Sequence, residues 1–185
     1  MSISALQAKA VLARAECVCP QAEVEAALVR MAAEITERLA DKDPLVLCVM
    51  NGALIPAGQL LTRVRLPLQT DYIHATRYRG ETSGGRLHWL AEPSFPLAGR
   101  VVLIVDDILD EGHTLTALRE YCLSKGAREV YSAVFVRKCH DRCVDVKADF
   151  VGVEVEDRYV FGFGMDYKDY WRNLPAIYAA SPQDE

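Results

Sequence analysis

Four acids fall in one short stretch, Asp106, Asp107, Asp110 and Glu111, and Gly112, His113, Thr114 and Thr116 follow at once. Carboxylates accept hydrogen bonds from hydroxyls and bind hard cations. A glycine and hydroxyl residues opening a helix form the kind of turn where backbone N–H groups and the helix dipole meet an anion. The acids would repel a plain phosphate. A phosphorylated sugar satisfies both halves: phosphate in the turn, sugar hydroxyls on adjacent carboxylates, and Mg²⁺ to offset the charge. The chain has no G-x-x-x-x-G-K-[ST] run, which excludes a Walker-type phosphate loop.

These residues need a rigid frame. Val101 to Val105 is apolar and mostly β-branched, the pattern of a strand buried on both faces. The chain then turns through the acids into a helix with Leu115, Leu118 and Cys122 on one side, closing at Lys125-Gly126. Upstream, Val24, Leu28, Met31, Ile35 and Leu39 recur at helical spacing, and the helix ends before Asp43-Pro44. Leu45 to Met50 is a short buried strand, and Asn51-Gly52 turns it into a helix around Ala53 to Arg63. Leu66, Leu68, Thr70, Tyr72 and His74 alternate as a second strand. Thr76 to Arg86 is polar and glycine-rich, a loop ahead of a return strand near Leu87 to Leu90. Val130 to Val136 and Phe150 to Val155 are further strands, and Ser181 to Glu185 is expected to fray. Strands alternating with helices predict an α/β fold: a mostly parallel twisted sheet, helices on both faces, and a ligand at the C-terminal ends of the strands.

A chain of 185 residues, 51% hydrophobic, is expected to form a single domain over 1–185. Its net charge of −5 argues against a nucleic-acid binder that relies on bulk attraction. No apolar run approaches the ~20 residues of a membrane span, and the N-terminus lacks a signal peptide's apolar core, so a cytoplasmic protein is expected. Among the six cysteines, Cys17-Val18-Cys19 and Cys139-His140-x-x-Cys143 lack the paired spacing of a zinc module, which leaves reduced thiols. Gly162-Phe163-Gly164 is followed by Tyr167 where a dinucleotide fingerprint needs a third glycine.

The segment from Val101 to Thr116 resembles the phosphoribosyl-pyrophosphate (PRPP) signature of the type I phosphoribosyltransferases: an apolar strand, two acids, two apolar residues, Asp, a small or polar residue, Gly, one further residue and Thr. From about Leu45 to Arg172 the chain is similar to the hypoxanthine-guanine branch of that family. The resemblance implies the family fold, with a small hood region beside the sheet. It implies that Asp106 and Asp107 accept from the ribose hydroxyls and, with Asp166, bind Mg²⁺. Asp110 becomes the general base near purine N7. Glu111, Gly112, His113 and Thr114 wrap the 5′-phosphate, with Thr116 a weaker candidate. Asn51 and Gly52 form the pyrophosphate turn, with Asn51 where Lys or Arg is common, and Arg172 is a further pyrophosphate contact. Lys138, with Arg137 beside it, matches the lysine that donates to the purine 6-oxygen. Tyr159 and Val160 match the base pocket, and Tyr78 the aromatic residue of a mobile lid.

The function so implied is purine salvage: PRPP and hypoxanthine or guanine give the nucleoside monophosphate and pyrophosphate, in a homo-oligomer (dimer or tetramer) with no nucleic-acid or membrane partner. Two readings stay open beside it. One is an enzyme preferring xanthine, and the other is a non-catalytic PRPP sensor that binds nucleic acid.

Overall fold

A computed structural model describes residues 3–77, 87–142 and 144–185. Helix α1 (Ala5–Arg14) opens on a capping box: the Gln7 N–H donates to Ser4 Oγ at 3.2 Å, and the Ser4 N–H donates to Gln7 Oε1 at 2.8 Å. Strand β1 (Glu16–Cys19) and helix α2 (Gln21–Leu39) follow, then β2 (Leu45–Met50), α3 (Leu54–Leu61), β3 (Gln69–Arg77) and β4 (Leu87–Ala91). The remainder is β5 (Val101–Leu109), α4 (His113–Ser124), β6 (Glu129–Cys139), β7 (Phe150–Glu156), β8 (Val160–Phe161) and β9 (Ile177–Ala179).

Six strands form one sheet in the order β4-β3-β2-β5-β6-β7, parallel throughout except for the antiparallel pair β3–β4. Alternation along β5 shows why helices must cover both faces. Leu103 and Val105 pack with Leu28, Met31 and Ile35 of α2 and with Leu60 of α3. Val102 and Ile104 point the other way, into a layer with Leu115, Leu118 and Cys122 of α4. The expected mostly parallel sheet with helices on both faces is what forms.

The hood is a second sheet of three short antiparallel strands in the order β1-β9-β8, joining the two ends of the chain. Val11 of α1 is buried there with Phe161, Tyr167 and Ala180, and the Trp171 Nε1–H donates to the Ala8 carbonyl at 2.8 Å. The tail does not fray. Arg14 donates to Asp184 at 2.6 Å, Ser181 Oγ donates to Asp184 at 2.7 Å, and the Tyr167 hydroxyl donates to the Asp184 carbonyl at 2.6 Å. Polar residues at the end of the chain suggested freedom, but two of Asp184's partners, Arg14 and Tyr167, lie well away in sequence.

The sheet also sets the place of the site. From β2 the chain runs to β3 on one side, and from β5 it runs to β6 and β7 on the other. Ligands in open α/β sheets bind in the crevice at such a reversal, beyond the C-terminal strand ends. The β2–β5 ladder stops at Cys48↔Val105, whereas β5 stays paired with β6 as far as Leu109↔Arg137. Asp106 and Asp107 therefore lie on β5, not in the turn after it, along an edge that β2 has left. No described helix is long and apolar enough to cross a membrane, and the described cysteines Cys17, Cys19, Cys48, Cys122 and Cys139 are free thiols.

Candidate active site

At this crevice a cavity of about 190 Å³ is lined by Asp107, Ile108, Asp110, Lys138, Tyr159, Val160, Met165 and Asp166. That lies below the ~300–1,000 Å³ of sites for drug-sized ligands, and is on the scale of one small planar ring system. The strand ends supply its floor and the hood its roof. Tyr159 is 37% exposed, so part of its surface is open beside the cavity. Its hydroxyl, which needed a partner, points at the Asp166 carbonyl at 3.5 Å.

Asp106 is buried, and its Oδ1 accepts from the Asp107 N–H at 3.0 Å. Burial, and then the neighbouring Asp107 carboxylate, push the Asp106 pKa well above the usual carboxylate value. Burial also raises Asp107, though the Arg172 guanidinium opposes it. Arg172 Nη1 lies 3.9 Å from Asp107, while Nη2 donates to Asp166 Oδ1 at 2.5 Å. One guanidinium therefore spans two of the three acids proposed for a cation. The three offer carboxylate oxygens only, and two of them are adjacent, a donor set that fits a hard divalent ion.

Gly52 backs onto Asp107, and neither Asn51 nor Gly52 lines the cavity. The Met50–Asn51 peptide is cis. A Cβ on Gly52 would stand 2.1 Å from Asp107 Oδ2, so only a glycine lets the turn approach the carboxylate this closely. Gly112 has φ 88° at the N-cap of α4, and a Cβ there would stand 2.5 Å from Val146 Cγ1. His113 and Thr114 then open the helix, whose positive dipole end faces the ligand side. The Thr116 hydroxyl donates to the Gly112 carbonyl at 3.0 Å, so it braces the turn. Glu111 lies 3.7 Å from His113 Nε2 and 3.9 Å from Arg142 Nε. Tyr78 lies outside the described residues.

The centre of the site is Asp110. Lys138 Nζ donates to its Oδ2 at 3.0 Å, and His140 Nε2 lies 2.7 Å from its Oδ1. Burial disfavours the charged form, but the hydrogen bonds from His140 and Lys138 outweigh it and hold the Asp110 pKa below its usual value. Arg137 instead pairs with Glu154, and Lys138 is the one of the two that bonds Asp110.

A phosphoribosyl transferase domain matches residues 20–169. The chain belongs to that family. Among relatives, the hypoxanthine-guanine phosphoribosyltransferase of Bacillus subtilis is 34% identical over 161 residues, 86% of this chain and 89% of the relative. The hypoxanthine-guanine-xanthine phosphoribosyltransferase of Tritrichomonas foetus is 34% identical over 158 residues, 85% and 86% of the two chains. The solved hypoxanthine-guanine phosphoribosyl transferase of L. donovani superposes with a TM-score of 0.82 at 27% identity, covering 91% of this chain and 97% of that one.

Within this phosphoribosyl transferase, sequence reasoning did not single out Ile108, Met165 or Asp157 for the site, and met His140 only in a rejected zinc spacing. The first two read as ordinary apolar residues. His140 stands two places after Lys138, in the bend just past the end of β6, where strand alternation gives no signal. Asp110, His140 and Asp157 place ligand atoms within 4.8 Å of one another, the reach of a metal-binding group. The Lys138 ammonium already lies among them, 3.0 Å from Asp110 and 3.8 Å from Asp157, and supplies the positive charge.

Proposed function

We propose that this chain, acting as one domain over 1–185, transfers the 5-phosphoribosyl group of PRPP to N9 of a 6-oxopurine, hypoxanthine or guanine, releasing the nucleoside monophosphate and pyrophosphate. The observation that carries the reading is the meeting of Asp110 and Lys138 across a base-sized cavity bounded by Tyr159 and Val160. The names of the relatives support it.

Each residue then has a task. Tyr159 covers the purine face and the Val160 backbone meets its edge. Lys138 donates to the 6-oxygen. An amino group at that position cannot accept, so adenine offers Lys138 nothing in exchange for Asp110 and meets the ammonium donor to donor, and is rejected. Asp106 and Asp107 hold the ribose hydroxyls, while Glu111, Gly112, His113 and Thr114 wrap the 5′-phosphate at the positive end of α4. Asn51, Gly52 and Arg172 receive the pyrophosphate. As N9 bonds to C1′, the C1′–O bond breaks with its electron pair going to pyrophosphate, and the N7 proton passes to Asp110. Mg²⁺ held by Asp106, Asp107 and Asp166 would neutralise the phosphates. Tyr78 belongs to a lid that excludes water from the activated ribose.

The setting is cytoplasmic, in a homo-oligomer (dimer or tetramer) without nucleic-acid or membrane partners. A second reading, use of xanthine as well, is favoured by the Tritrichomonas foetus relative, whose name includes that base. The test is release of pyrophosphate from PRPP and Mg²⁺ upon addition of hypoxanthine or guanine, with retention on RNA and DNA columns measured in parallel. One pyrophosphate per nucleotide and no retention at moderate salt are expected. PRPP binding without release, together with salt-sensitive retention, would instead identify a regulator.

A further inference from the structure

Lys138 near the end of β6 and His140 in the bend just after it grip the two oxygens of one carboxylate, Lys138 at Oδ2 and His140 at Oδ1. The proton on the imidazole can be placed. The backbone N–H of Arg142 donates to His140 Nδ1 at 3.2 Å, so Nδ1 carries a lone pair and the neutral ring bears its hydrogen on Nε2, pointing at Asp110. The ring is held in that pose: its side chain is 6% exposed, against 44% for Asp110. Arg142 is anchored in turn through its guanidinium, bonded to Asp157 at 2.8 Å.

Each Asp110 oxygen already accepts from one of these described donors, and the proposed reaction needs one of the two oxygens to receive the N7 proton. Lys138 has an alternative acceptor in the purine 6-oxygen, whereas His140 has its second nitrogen tied to the backbone. We propose that His140 is a positioning residue: it keeps Oδ1 of Asp110 in place when Lys138 moves to the base, so that Oδ2 faces N7. This rests on the phosphoribosyl-transfer reading above. His140 touches neither substrate. It orients the base and withdraws one of its lone pairs, so that the proton is delivered to Oδ2.

Among the described residues, the groups facing Asp110 are Lys138 from β6, His140 and Arg142 from the loop after it, and Asp157 from the turn after β7. Glu111 stands beside it on its own loop, and Asp107, Tyr159 and Asp166 stand around the cavity. His140 donates to Asp110 Oδ1 from Nε2. Losing it raises the pKa of Asp110, so the acid limb of kcat/KM for hypoxanthine moves to higher pH.

The test compares wild type, His140→Leu and His140→Gln, the last keeping an N–H near the Nε2 position, with Asp110→Asn alongside. Expected for His140→Leu is a kcat reduced about 10- to 100-fold, an acid limb shifted upward, an unchanged KM for PRPP, and recovery of most of the loss in His140→Gln. A folded His140→Leu enzyme with wild-type kcat and an unmoved acid limb would overturn the proposal, as would His140→Gln as impaired as His140→Leu. Long-range ¹H–¹⁵N NMR on the wild-type protein reads the tautomer without any substitution. Hydrogen on Nε2 is expected, and hydrogen on Nδ1 would overturn it. Failure of the underlying reading is separable: it shows as a wild-type enzyme that releases no pyrophosphate, or as full activity in Asp110→Asn.

Discussion

Lys138 bonds Asp110 at 3.0 Å in the free protein, and a 6-oxopurine offers it a competing acceptor. If that exchange selects the base, Lys138→Met lowers kcat/KM for hypoxanthine about 10- to 100-fold and leaves the rate with adenine, expected to be poor, unchanged. Initial rates with both bases measure the ratio. Gly52 makes a second prediction. A methyl there would stand 2.1 Å from Asp107 Oδ2 and must displace it, so Gly52→Ala raises KM for PRPP about tenfold, the equivalent of ~1–3 kcal/mol of overpacking, while KM for hypoxanthine holds. At this scale much of the site was legible in the sequence, because acids, a glycine and hydroxyls in fixed order have few chemical uses. Six candidates, Asp107, Asp110, Lys138, Tyr159, Val160 and Asp166, line the one cavity. His140 was not legible as an Asp110 partner, because its role depends on the Arg142 backbone N–H, a contact that exists only after the chain has turned.

Among the elements, strands with strong apolar runs were readable and the hood was not. Strands β1 and β9 are four and three residues long, too short for a period, and pair Glu16 with Ala179 across almost the whole chain. Leu45 to Met50 and Val101 to Val105 were visible as strands because burial on both faces leaves an unbroken apolar signature. Strand β5 continues beyond that signature into Asp106 and Asp107, which the acids concealed. The closure of the hood carries its own prediction. The hydrogen bond from Arg14, with a second from Ser181, holds the Asp184 pKa below its ordinary value of 3.8. A depressed carboxylate stabilises the fold above that ordinary value and loses the contribution as pH falls through its folded-state value. Arg14→Ala therefore lowers the melting temperature at pH 6, and the difference from wild type closes as pH falls below 3.8. Paired thermal melts across this range check the sign, and a constant difference would detach the Arg14–Asp184 pair from hood stability.

For the whole molecule, sheet order does the positioning. The reversal between β2 and β5 opens a crevice at the C-terminal strand ends. The hood, built from both chain ends, places Tyr159, Val160 and Asp166 opposite the Asp107–Asp110 segment. Neither half alone encloses a base. The central claim is that this enclosure performs general-base transfer of a phosphoribosyl group to 6-oxopurines. Its most direct test is steady-state turnover with PRPP and Mg²⁺, offering hypoxanthine, guanine, xanthine and adenine separately, for wild type and Asp110→Asn. Expected are rapid turnover of at least one 6-oxopurine, poor turnover of adenine, and a loss of kcat in the variant of about 10²- to 10⁴-fold. Adenine turned over as well as hypoxanthine, or an Asp110→Asn enzyme as fast as wild type, would contradict it.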